Sequence, residues 1–177
     1  MYLDILIAVI LIFAVIEGLK DGFLLQFFSI FGIFIDFIIA QKFTPIVIEK
    51  LAMNNNESNY LLTYIGVFIA SYFAIAILMF FIGIILKNQN KGFLSRGLGG
   101  AFGLVKGLII SLIILFIFNF AAQKYTVLKK YGIDSKTNAV FLEKSHYIEE
   151  YLPKELKSEL NYIKGKELVE KYFNKMF

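Results

Sequence analysis

The stretch Arg96–Gly107, RGLGGAFGLVKG, places five glycines and two cations in twelve positions. Its reading decides between a phosphate-binding loop in a soluble enzyme and a helix packed inside a membrane. A dinucleotide fingerprint requires G-x-G-x-x-G directly after a strand. Gly97 and Gly99 fit that spacing, but the third position is Phe102, and a polar loop rather than a β-pattern stands upstream. The P-loop pattern fails as well, because Lys106 precedes a glycine instead of following one. Helix spacing accommodates the stretch better. Gly99, Gly103, Gly107 and Ser111 fall at successive i+4 steps and line one helix face. Lipid offers no hydrophobic drive for helices to associate, so small residues that let backbones approach closely supply the contact. Ala14/Gly18/Gly22 and Gly66/Ala70/Ala74 repeat the pattern.

Composition agrees with the membrane reading. Of 177 residues, 58% are apolar and 18% charged, with a mean hydropathy of +0.70; an ordinary soluble domain is about 45–50% apolar and about 25% charged. The apolar excess is concentrated, since residues 1–122 hold only seven of the 18 Lys/Arg and six of the 14 Asp/Glu. A spanning helix needs about 20 largely apolar residues. Four segments satisfy this: residues 3–19, 22–40, 60–86 and 97–122. The third carries no charge in 27 residues. The first two are separated by the polar break EGLKDG (Glu17–Gly22), and a loop containing Pro45 and NNNESN (Asn54–Asn59) follows the second. Tyr2, Tyr60, Tyr64 and Tyr125 suit the membrane–water interfaces. The expected fold is all-α: a four-helix integral membrane domain over 1–122, and a polar, amphipathic helical tail over 123–177.

In the tail, Leu156, Leu160 and Ile163 recur at helical spacing after Pro153. Beyond Gly165, Leu168, Val169, Tyr172, Phe173 and Met176 form a second stripe, with Glu167 and Lys171 as an i,i+4 pair. These helices pack on each other or on the membrane domain, or dock on lipid or on an envelope partner.

Six ionisable residues, Glu17, Lys20, Asp21, Asp36, Arg96 and Lys106, lie in or beside the spans. Charges there must pair, snorkel or meet water, and they are the candidates for a polar path or an anion site. A short first span ending in a glycine-flanked charged break resembles the interrupted helices at transporter centres. Gly18, Gly22, Gly99, Gly103, Gly107 and Ser111 are the candidate helix-packing positions.

Several function classes are disfavoured. There is no cysteine and a single histidine, His146, so thiolate and histidine-cluster metal sites are not expected, nor is a cofactor. The tail's lysines alternate with glutamates and form no basic stripe for nucleic acid. Asp4 stands where a signal peptide would carry positive charge. Glu17 and Asp21 share a helix face, but no nucleophile–base pair or catalytic carboxylate pair stands out, so no enzyme is expected.

The order of features resembles the CvpA, or colicin V production, family. Its most recognisable stretch, Asp-Arg-x-Leu-Gly-x-x-Phe-Gly-x-x-Arg-Gly, is similar to SRGLGGAFGLVKG, which keeps Arg96, Leu98, Gly99, Phe102, Gly103 and Gly107. Ser95 replaces the acid and Lys106 the second arginine. The early break resembles the family's Gly-x-x-x-Gly-Phe through Gly18, Gly22 and Phe23. The likeness covers roughly residues 2–122 and thins toward Ser145. It implies a multi-pass bacterial inner-membrane protein without known catalytic residues, associated with peptide-toxin export, toxin biosynthesis and envelope physiology. Related membrane domains precede extracytoplasmic serine protease domains. Lys20, Lys87, Lys91 and Arg96 on one side nearly balance Lys42, Lys50, Lys124, Lys129 and Lys130 on the other. The count slightly favours a cytoplasmic tail; the resemblance and the acid-free loop before Arg96 favour an extracytoplasmic one, which is the orientation taken.

Two functions compete. One is an export- or transport-assisting protein, a homo-oligomer in the bilayer around a polar path. The other is a non-conductive scaffold whose tail recruits an envelope partner.

Overall fold

The computed structural model describes residues 2–54, 56–86, 92–132, 135–147, and 157–158, 160–162 and 164–165. Among these there are no strands. Helix α1 is Tyr2–Asp21, α2 Phe23–Lys50, α3 Glu57–Leu86 and α4 Phe93–Lys124. Two short helices follow, α5 (Thr126–Gly132) and α6 (Lys136–Lys144), then a single 3-10 turn at Ser145–Tyr147. The described residues between 157 and 165 are also helical.

Helices α1 to α4 each contain a stretch long and apolar enough to cross a membrane, with hydropathies of 2.2 to 2.6. A helix satisfies its own backbone hydrogen bonds, which is the requirement hydrocarbon imposes on a spanning segment. Large apolar side chains point outward, as a lipid solvent permits: Phe73, Phe80 and Phe81 on α3 are each more than half exposed. The chain is a membrane protein.

Two boundaries differ from the sequence reading. The polar break shrinks to one residue, because α1 continues through Asp21 and α2 starts at Phe23. Gly22 alone leaves the helix, at φ 79°, a conformation that costs a side chain and is open to glycine. The expected loop after residue 40 is also later, since α2 runs through Pro45 to Lys50. Proline there removes one helical N–H, but membrane helices tolerate it where neighbouring groups compensate. Thr44 Oγ1 donates to the Ala40 carbonyl at 2.6 Å in the same turn.

The chain forms two compact units, 9–110 and 1–8 with 111–177. In the first unit α2 packs along α3. Gly32, Asp36, Ala40, Thr44 and Ile48 form its buried stripe at i+4 intervals, and Phe37 meets Phe68 at 5.0 Å between ring centres.

In the second unit Asp4 anchors the start of α6. Its Oδ1 accepts from Ser135 Oγ at 3.0 Å, from the Thr137 N–H at 2.9 Å and from Thr137 Oγ1 at 2.9 Å. Ser135 is the N-cap of α6, its hydroxyl oxygen accepting from the Asn138 N–H. Asn138 Oδ1 in turn accepts from Asn119 Nδ2 of α4 at 2.6 Å. Leu160 is fully buried; Pro153, Leu156, Ile163, the Glu167–Lys171 pair and the stripe from Leu168 to Met176 lie outside the described residues.

Candidate functional site

The glycine face of α4 lies directly against α1. A Cβ added at Gly99 would fall on the Gly18 carbonyl oxygen and within 2.8 Å of Gly22 Cα. One at Gly103 would strike the Ala14 carbonyl and approach Gly18 Cα to 3.1 Å, and one at Gly107 would meet Ala14 Cβ at 2.8 Å. At Gly99 and Gly103 backbone meets backbone, so no side chain can yield to make room; at Gly107 the neighbours are the side chains of Ala14 and Leu11. Ser111, one turn beyond Gly107, is buried. The ridge Gly66/Ala70/Ala74 behaves differently. All three residues are exposed, and a Cβ at Gly66 would meet nothing within 4 Å.

This crossing brings together the two stretches that carry the family resemblance, far apart in sequence. Phe23, from the early break, packs edge-on against Phe102 at 5.0 Å, and Phe27 extends the cluster to Phe102 at 6.1 Å. Aromatic pairs at such separations prefer this edge-to-face geometry. Ser95 Oγ accepts from the Phe23 N–H at 3.4 Å, so the position where the family commonly carries an acid faces the first free N–H of α2. Helix N-termini attract negative charge; a hydroxyl fills the place here with its dipole alone.

Beside the crossing opens a cleft of about 580 Å³. Glu17, Lys20 and Asp21 of α1, Asp36 of α2 and Lys106 of α4 line it, with Tyr72, Ile75, Met79 and Phe80 of α3 among its other walls. Five of the six charged candidates thus share one cavity. Arg96 does not line it and is exposed.

Lys106 is buried, with its side chain 9% exposed, and its Nζ donates to Glu17 Oε2 at 2.6 Å. The glycines on either side explain the burial: with no side chains at Gly103 and Gly107, α4 comes near enough to α1 for Lys106 to reach an acid. The pair turns a costly lone cation into a charge-assisted hydrogen bond. Asp21 Oδ2 accepts from Gln26 Nε2 at 3.3 Å. Asp36 differs from both. It has no accessible surface, and among the described residues neither carboxylate oxygen has a hydrogen-bond partner.

Sequence reasoning did not place Asp4, Ser71 or Tyr72 among the candidate site residues. Tyr72 lies within electrostatic reach of both Glu17 and Asp36. Its signal was a phenol beside Ser71 in the middle of a span without charge. Asp4 carried no signal, because its partners lie more than 130 residues away. Among the described residues no group of three or more His, Asp or Glu side chains is arranged to hold a metal ion. The cleft is therefore a charged, partly paired opening inside a bundle of apolar helices.

Comparison with known proteins gives one family match. The family model described as "Colicin V production protein" matches residues 3–145. Curated proteins give no match, and neither do solved structures. The family match spans most of the chain, from the start of α1 to the end of α6 and including both halves of the glycine crossing, and the chain belongs to the colicin V production protein family.

Proposed function

We propose that this protein assists peptide export or solute transport across a bacterial inner membrane, without catalysing a reaction, and that the charged cleft is its polar path. The observation carrying this reading is the cleft: five ionisable side chains gather in one opening among helices of membrane-spanning length. Within hydrocarbon such groups persist where they pair or meet water, and they commonly mark solute and ion pathways. Family membership supports the inner-membrane location and the link to export.

The proposal includes an extracytoplasmic tail. It is supported by the resemblance to membrane domains that precede extracytoplasmic proteases and by the acid-free stretch of sequence from Lys87 to Arg96. Tail fusions to alkaline phosphatase should be active; inactive fusions would reverse the orientation. It also includes a homo-oligomer, supported by the exposed ridge Gly66/Ala70/Ala74, whose small residues suit a second helix.

The alternative is a non-conductive scaffold whose tail recruits an envelope partner. The specific observation in its favour is the tight glycine crossing, which explains those residues by packing alone. Purified protein in liposomes under an ion or small-solute gradient separates the two. Transport requires a flux that falls in Lys106→Leu. Silent vesicles, with a partner crosslinked to the tail in cells, would establish the scaffold instead.

A further inference from the structure

Among the described residues, Asp36 is the one acid of the cleft whose carboxylate oxygens have no hydrogen-bond partner. It sits thirteen residues into α2, about 20 Å along the helix from its start. It has no accessible surface, and both carboxylate oxygens lack hydrogen-bond partners, yet it lines the cleft. The other two acids there are provided for: Glu17 pairs with Lys106, and Asp21 accepts from Gln26. The hydroxyl of Ser71 lies beside Asp36 but donates to the Phe68 carbonyl at 3.1 Å.

A carboxylate with open lone pairs and no countercharge is among the costliest arrangements in a low-dielectric interior. A positive charge bound at its oxygens removes that cost. The donor set decides which charge it is. Hard metal cations take six or more oxygens, and the described residues gather no cluster for one. A proton needs a single oxygen, and it converts that oxygen into a donor that a neighbouring hydroxyl can accept.

We propose that Asp36 is a proton-binding site of the cleft, loaded in the arrangement seen here and emptied when water enters. The groups governing the exchange face the cleft from each neighbouring helix: Glu17, Lys20 and Asp21 of α1, Tyr72 of α3 and Lys106 of α4. On the transport reading, the same opening then carries both the solute and the proton, so that the two are coupled. The proton site stands without that reading; only the coupling rests on it.

Infrared difference spectroscopy on the full chain in liposomes tests the site without any flux. Stepping the bath from acid to alkaline should reveal the C=O stretch of a protonated carboxyl. That band should vanish in Asp36→Asn, persist in Asp21→Asn and Glu17→Gln, and not respond to replacing choline with sodium at fixed pH. If Asp36→Asn does not fold, wild-type protein carrying ¹³C-labelled aspartate provides the second measurement, since the band must shift with the label. A spectrum unchanged by Asp36→Asn, or a band with no isotope shift, overturns the proposal. A band abolished by sodium at fixed pH replaces the proton with a metal cation and overturns it too. A band with silent vesicles leaves the proton site standing and defeats the transport reading; flux without the band does the reverse.

Discussion

Lys106 Nζ lies 2.6 Å from Glu17 Oε2, joining the cation of one family motif to an acid beside the other across 89 residues of sequence. The lysine is nearly enclosed while the glutamate side chain is 56% exposed toward the cleft. The pair is therefore intermediate between a buried bridge and a screened surface one.

Removing both members should cost little more than removing Lys106 alone. Lys106→Leu should destabilise the protein by about 1–2 kcal/mol, scaled down from a fully buried pair because Glu17 is half open. Glu17→Gln in the Lys106→Leu background should add little. Lys106→Arg, the residue common in the family, should keep the pair. A double-mutant cycle on unfolding in detergent reads the coupling; additive losses would show that the two side chains act independently.

The glycine crossing should be intolerant at some positions and indifferent at others on the same helix. Gly99→Ala would drive its methyl into the backbone of Gly18 and Gly22, so α1 and α4 must separate, with a loss of about 1–3 kcal/mol or more. Gly97→Ala meets nothing within 4 Å and should be neutral, or stabilising by up to about 1 kcal/mol through helix propensity. Thermal unfolding of the two variants side by side tests this contrast. Equal effects would contradict the crossing.

Ser95 gives a gain-of-stability prediction. Ser95→Asp would place a full negative charge beside the Phe23 N–H that Ser95 Oγ now accepts at 3.4 Å. The start of α2 should be stabilised by about 0.5–1 kcal/mol, read as slower amide exchange over the first turn of α2. Faster exchange there would show that the hydroxyl is not serving as a cap.

Asp4 should control the order of α6. Its Oδ1 accepts three hydrogen bonds from Ser135 and Thr137, so Asp4→Ala removes the acceptor those donors share and should loosen the start of α6. Limited proteolysis should then cut near residues 135–138 well before any site within the four long helices. Unchanged cleavage kinetics would show that α6 holds its place without Asp4.

For the outward ridge, Gly66→Leu should reduce crosslinked dimer in membranes with little change in monomer stability, because a side chain there meets nothing within 4 Å in its own chain. Undiminished crosslinking would remove that ridge from any self-association.

The membrane as solvent and the all-α class were legible in the residues alone. Long runs such as Tyr60–Leu86 leave a backbone no option in hydrocarbon but helix, and the i+4 spacing of Gly99, Gly103 and Gly107 follows from helix geometry alone. The same stretch excluded a phosphate loop and carried the family likeness. What local pattern did not contain was pairing. Along the chain Asp36 and Lys106 are each a single charge in an apolar run, and neither shows a partner nearby in sequence. Only tertiary structure gave Lys106 an acid and left Asp36 without a partner, because the outcome depends on which helices cross at which height. It likewise turned one small-residue ridge inward and left the other, at Gly66, facing out. Spacing says that a face exists; the neighbouring helix decides whether anything lies against it.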